Sequence, residues 1–198
     1  IGPQICKGKK DKSLKEKLRG IFRNYELKEE VMDLYPFELS GGMNRRIMIS
    51  TALIGEPKLV IADEPTPGLD LKVAKRAMGH FRELADNGAA VLVITHDLEL
   101  ALETADKIAV FYAGTTLEQA KTSDFTSEET LRHPYTKALW RALPQNGFQY
   151  IGGVQPSPEN MPSGCPFAPR CEKCTDECSQ KIPYRKVRDG FVRCIYGD

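Results

Sequence analysis

This chain of 198 residues is short of several things. No apolar run approaches the roughly 20 residues of a membrane-spanning helix, so no helical span is expected in it. No charge of either sign is in excess. Lys and Arg total 28 against 27 Asp and Glu, a net charge of +1, which argues against a general binder of nucleic acid or of a membrane surface. No secretory signal is visible, and the chain opens on Ile1 rather than Met, so a fragment is expected. Before Cys165 the only cysteine is Cys6, so a disulfide scaffold does not run through the body of the chain. The phosphate-cradling loop G-x-x-x-x-G-K-[ST] is absent as well, and with it one half of a familiar nucleotide site.

What is present suffices for one domain or one domain with an appendage, and 41% hydrophobic residues can fill a core. Residues 5–35 are Lys-rich, with Leu14, Leu18, Ile21, Phe22, Leu27, Val31, Met32 and Leu34 at helical spacing. Short amphipathic helices are expected there, ended by Pro36. Ser40 suits the N-cap of a helix that Gly55 and Pro57 stop. Residues 58–62 read as a short strand buried on both faces of a parallel sheet. A helix over 71–85, a strand over 89–94, a helix over 98–105 and a third strand over 108–112 continue the pattern. Strand and helix alternate, so the fold class is α/β with parallel strands. Beyond Gly114 the character shifts. Helices are expected over 126–131 and 134–143, a Pro- and Gly-bearing linker over 144–164, and then a cysteine-rich end.

Two segments carry chemistry. The first N–H groups of a helix lack internal partners and sit at the positive end of its dipole. Ser40-Gly41-Gly42 at such an end lets an anion approach the main chain, so it is a phosphate seat, although the same tripeptide also starts ordinary capped helices. Asp63-Glu64 closes the apolar run Leu59-Val60-Ile61-Ala62. Two adjacent carboxylates at the carboxyl end of a buried strand suit a Mg²⁺-bound nucleotide, with Glu64 placed to orient or deprotonate water. His96 follows the next strand and belongs to the same sheet edge. Asp70 closes the loop after Pro65, or simply caps the helix that begins at Leu71.

These segments resemble the ATP-binding-cassette ATPases. Leu39-Ser40-Gly41-Gly42-Met43 is similar to their signature motif, and Leu59 to Glu64 to their Walker B strand with its catalytic Glu. Pro65 to Asp70 is similar to their D-loop and His96 to their switch histidine. His133-Pro134-Tyr135-Thr136-Lys137-Ala138-Leu139 and Gly164-Cys165-Pro166-Phe167-Ala168-Pro169-Arg170-Cys171 resemble the C-terminal extension of the peptide and nickel importer branch. The Walker A loop and the Q-loop belong upstream of Ile1, and Gln4 is not assigned to the latter. The resemblance implies a C-terminal fragment in three parts. Residues 1–56 form a helical subdomain with the signature, 57–115 the second half of the ATPase core, and 116–198 an extension with the cysteine cluster.

It further implies ATP and Mg²⁺ as cofactors and a head-to-tail dimer of ATPases. Ser40, Gly41 and Gly42 then serve the partner's nucleotide. Asp63 (holding Mg²⁺ through water), Glu64 and His96 serve the chain's own, and Asp70 joins the nucleotide-binding set. The implied partners are a second, paralogous ATPase subunit, two transmembrane permease subunits and an external substrate-binding protein. The implied place is the cytoplasmic face of the membrane, with residues 5–35 near the permease. Cys171 and Cys174 have metal-site spacing, and the family pattern points to Cys165, Cys171, Cys178 and Cys194, with Cys174 as alternative, for a [4Fe–4S] cluster or Zn²⁺. Two other functions compete: a metal-binding interaction module built on residues 116–198, and a soluble DNA-associated cassette ATPase. The first leaves Ser40 to His96 as coincidence, and the near-neutral charge weighs against the second.

Overall fold

The computed structural model describes residues 12–55 and 57–197. Those expectations for residues 5–35 that fall on 5–11 lie outside the described residues. The chain divides after Thr104 into two compact units.

The first unit begins with helix α1, Lys12–Asn24, followed by a 3₁₀ turn over Glu29–Asp33. Leu18 and Phe22 lie on one buried face of α1, and Tyr25, Leu27 and Val31 just beyond it are buried as well. Helix α2 spans Gly41–Leu53 and strand β1 Leu59–Asp63. Helix α3 covers Leu71–Asp86, β2 Ala90–Ile94 and α4 Leu98–Thr104. Strands β1 and β2 pair in parallel, with Leu59 opposite Ala90 and Asp63 opposite Ile94. One face of this ribbon, through Val60, Ala62, Val91 and Val93, joins the core with Val73, Ala74, Ala77, Met78 and Phe81 of α3.

The other face is bare. Leu59 is 58% exposed and Ile61 62% exposed, with Leu92 and Ile94 also open. The expected burial on both faces is therefore corrected to burial on one. The strand is apolar on both sides, but these residues supply a covering helix layer to one side alone.

The third expected parallel strand is also corrected. Strand β3, Lys107–Tyr112, belongs to the second unit and pairs antiparallel with β4, Thr115–Lys121. The turn between them is Ala113-Gly114, with φ of 46° and 77°. Two consecutive positive φ values give a tight hairpin whose twist matches its strands. Strands β5, Arg185–Val187, and β6, Gly190–Val192, complete a four-stranded sheet in the order β3-β4-β6-β5. In place of a helix over 126–131 there are 3₁₀ turns at Thr122–Thr126 and Glu128–Thr130, and helix α5 is Pro134–Arg141. The stretch read as a linker is held inside this unit, because Arg170 donates to the carbonyls of Ile151 and Gly152.

Candidate functional site

Ser40 caps α2 as its residue type demands. Its Oγ accepts from the Met43 N–H at 3.3 Å, which leaves the hydroxyl proton free to point outward. Ser40 and Gly41 are exposed. A Cβ added at Gly41 would meet nothing within 4 Å, and at Gly42 only the Gly68 carbonyl at 3.6 Å. Neither glycine has positive φ. Among the described residues, packing does not require glycine at either position, and the approach to the helix N-terminus is open. Gly68 is different: it sits at φ 76° in the turn that ends at Asp70. Asp70 takes the role of helix cap, its Oδ1 accepting from Val73 N–H at 3.0 Å.

At the end of β1 the chain leaves the ladder. Glu64 has φ 45°, a region that residues with a side chain seldom occupy. Its N–H still donates to Ile94 O at 2.9 Å, and its carbonyl accepts from Arg45 Nη1 at 2.6 Å. The turn swings its carboxylate to His96, with both oxygens 3.0 Å from Nδ1. The hydrogen bond that His96 donates to Glu64, and then the Glu64 charge, hold the His96 pKa above the usual imidazole range. The charged pair exists below that raised value and is lost as pH rises through it. The acids are not buried as expected. Asp63 is exposed and the Glu64 side chain is 38% exposed, because the bare face of the ribbon lies open to solvent. Beside them, Pro65 and Thr66 are buried and anchor the loop. His96 is followed by an orderly helix start, where Asp97 Oδ1 accepts from Leu100 N–H at 3.0 Å.

Sequence reading missed Arg45. The signal was an arginine pair just past the glycines, but only the fold shows which arginine reaches the acid loop.

In the second unit, Cys165, Cys178 and Cys194 are buried, Cys171 is half-buried and Cys174 is exposed. All five are free thiols. Burial pushes Cys165 and Cys194 up and carries Cys171 to about 11, with smaller pushes from the neighbouring cysteines. Gly164 is obligatory, since a Cβ there would strike Cys178 O at 2.1 Å. No group of three or more His, Cys, Asp or Glu close enough to hold a metal ion occurs among the described residues. Cys165 and Cys178 pack in a core with Tyr112, Leu117, Phe167 and Ile182.

The His-Pro-Tyr segment roots in the same interior. His133 is 1% exposed, and its Nδ1 accepts from Tyr135 N–H at 3.0 Å. That contact leaves the ring proton on Nε2, which lies 3.8 Å from Cys165 Sγ. Burial pushes the His133 pKa down to about 4. Beneath it lies Glu118, fully buried, a residue that carries no signal in the sequence.

Residues 7–67 match the family described as ABC transporter, and residues 117–178 match the oligopeptide/dipeptide transporter C-terminal region. The chain is 40% identical over 161 residues to the oligopeptide transport ATP-binding protein AppD of Bacillus subtilis, covering 78% of this chain and 48% of AppD. It is 39% identical over 171 residues to OppD of Salmonella typhimurium, with 83% and 50% covered. A solved ATP-binding subunit of an ABC transporter aligns with a TM-score of 0.53 at 28% identity, over 59% of this chain and 48% of the other. The chain spans about half the length of the curated relatives it matches. From the signature-like helix start to the buried His-Pro-Tyr segment, the chain belongs to the ABC-transporter ATP-binding proteins of the oligopeptide/dipeptide type.

Proposed function

We propose that this chain is the part of an ATP-hydrolysing subunit that carries the signature helix and the acid loop, and that the subunit powers import of peptides through a membrane permease. The observation that carries the reading is the open glycine pair at the start of α2. Space is left there for a phosphate that the chain itself has no loop to hold. A second ATPase subunit supplies that nucleotide, and Ser40, Gly41 and Gly42 donate to its phosphates. On the chain's own nucleotide, Asp63 would hold Mg²⁺ and Asp70 would lend its loop. Glu64 orients and deprotonates the attacking water, and His96 steadies Glu64 and faces the terminal phosphate. The phosphoryl group of ATP would pass to that water, and bound Mg²⁺ would neutralise the charge that develops. The acids' exposure suits this role, since a carboxylate that waits for a hydrated cation need not be desolvated beforehand.

Two permease subunits, an external binding protein and a paralogous ATPase complete the assembly, with the subunit lying on the cytoplasmic face. No helix long and apolar enough to cross a membrane occurs among the described residues. Peptide cargo is favoured over nickel because AppD and OppD are named for oligopeptides. Residues 1–198 by themselves are expected to hydrolyse no ATP. Steady phosphate release by the purified chain, abolished by Glu64→Gln, would overturn the division of the site.

A [4Fe–4S] cluster or Zn²⁺ on Cys165, Cys171, Cys178 and Cys194, or on a set that includes Cys174, rests on the resemblance and the all-thiolate composition. The spacing of the thiols gives a mononuclear ion no support. Iron and zinc analysis alongside the visible spectrum decides the matter: brown absorption means a cluster, stoichiometric zinc a structural ion, and neither a thiol core.

A further inference from the structure

Helix α2 carries two adjacent arginines with different work. Arg46 turns back into its own surroundings, its Nε donating to Gly42 O at 3.2 Å and its Nη1 to Tyr25 O at 3.1 Å. Arg45 reaches forward across 19 positions of sequence, and its Nη1 donates to the main-chain oxygen of Glu64 at 2.6 Å in a part-buried setting. Asp63 is the last residue of β1 in register with β2, so the Glu64 carbonyl lies past the ladder. Glu64 itself has a left-handed φ of 45°. A residue with a side chain keeps such a conformation only where its surroundings enforce it. Here three contacts do so. Ile94 O accepts the amide of Glu64, His96 engages its carboxylate and Arg45 holds its carbonyl.

We propose that Arg45 is a positioning residue for ATP hydrolysis, fixing the main chain of Glu64 so that its carboxylate points at the water it must activate. The inference rests on the assignment of Glu64 made above. It adds a physical tie between the two functional pieces of the chain. The helix that opens with the Ser40-Gly41-Gly42 seat grips, one turn later, the base of the acid loop. A planar guanidinium suits this task, because its N–H groups are fixed in direction while a lysine ammonium swivels.

The test uses the complete ATPase subunit assembled with its permease. Arg45→Ala is expected to lower kcat about 10- to 100-fold, as a misplacement near 1 Å does, while KM for ATP shifts less than about two-fold. Arg45→Lys should recover part of the loss, because it keeps a cationic donor on a shorter reach. The second arm works in a Glu64→Gln background and measures the ATP-loaded dimer by gel filtration. There Arg45→Ala should leave the amount of dimer unchanged, because the group it positions is already disabled.

A kcat within two-fold of the parent overturns the inference. So does a loss of the ATP-loaded dimer on adding Arg45→Ala to Glu64→Gln, or a KM that rises with the fall in kcat, since both mark Arg45 as packing for α2. If Glu64→Gln itself keeps turning over ATP, the assignment of Glu64 has failed, and Arg45 falls with it.

Discussion

Glu64→Gln in the complete subunit is expected to lower steady ATP turnover by at least ~10²-fold, the usual scale for loss of a general base. The substitution is nearly isosteric. Its amide oxygen can still meet His96 Nδ1, where the carboxylate oxygens now sit at 3.0 Å. What disappears is the charge, and with it the capacity to take a proton from water. ATP binding does not depend on that proton transfer, so an ATP-loaded dimer should accumulate and survive gel filtration. Loss of the same charge should let the His96 pKa fall back toward its ordinary value, because both leading causes of its rise come from Glu64. Turnover above a tenth of the parent's, or a dimer that falls apart as quickly as the parent's, would remove Glu64 from the role.

Glu118→Ala is expected to destabilise the second unit by about 3–5 kcal/mol, the cost of leaving a buried ion without its partner. The Glu118 carboxylate is fully buried. It accepts from the Arg132 N–H at 3.0 and 3.2 Å, from Arg132 Nη1 at 3.2 Å and from the His133 N–H at 2.8 Å. Arg132 is 1% exposed, and its Nε already lacks a partner in the protein. Truncation at Glu118 would leave its guanidinium to Asp124 alone and strand two main-chain N–H groups. His133 would lose the anchor that sets its ring between Tyr135 and Cys165. For a unit of this size the loss corresponds to a fall in Tm of roughly 15 °C or more. Glu118→Gln, which keeps one acceptor oxygen, should lie between the two. Calorimetry showing less than about 1 kcal/mol for Glu118→Ala would mean that the network is ornamental to the fold.

Most of the first unit was legible because its signals are local. Ser40 caps a helix through its own hydroxyl, the apolar run from Leu59 ends on two acids, and α3 shows helical spacing. The second unit was harder to read. Ala113-Gly114 is a weak turn signal beside Asn-Gly, and it hid the hairpin that takes β3 out of the parallel set. The 3₁₀ turns near Thr126 lack the length that makes a periodicity visible, and the strand pair β5–β6 is only three residues deep on each side.

Residue types and spacing by themselves determined where a Ser-Gly-Gly helix start, an acid pair and a histidine stand in order, and to which family that order belongs. Capping, periodicity and strand ends are settled within a few residues, so a linear reading captures them. The tertiary structure decided the rest. It chose Arg45 over Arg46 as the residue that meets Glu64, closed His96 onto both carboxylate oxygens, and left one face of β1 and β2 open. It also buried Glu118 under Arg132 and His133. Such choices depend on partners 14 to 32 positions away in the chain, and the direction of a side chain across that distance is fixed only when the whole unit packs.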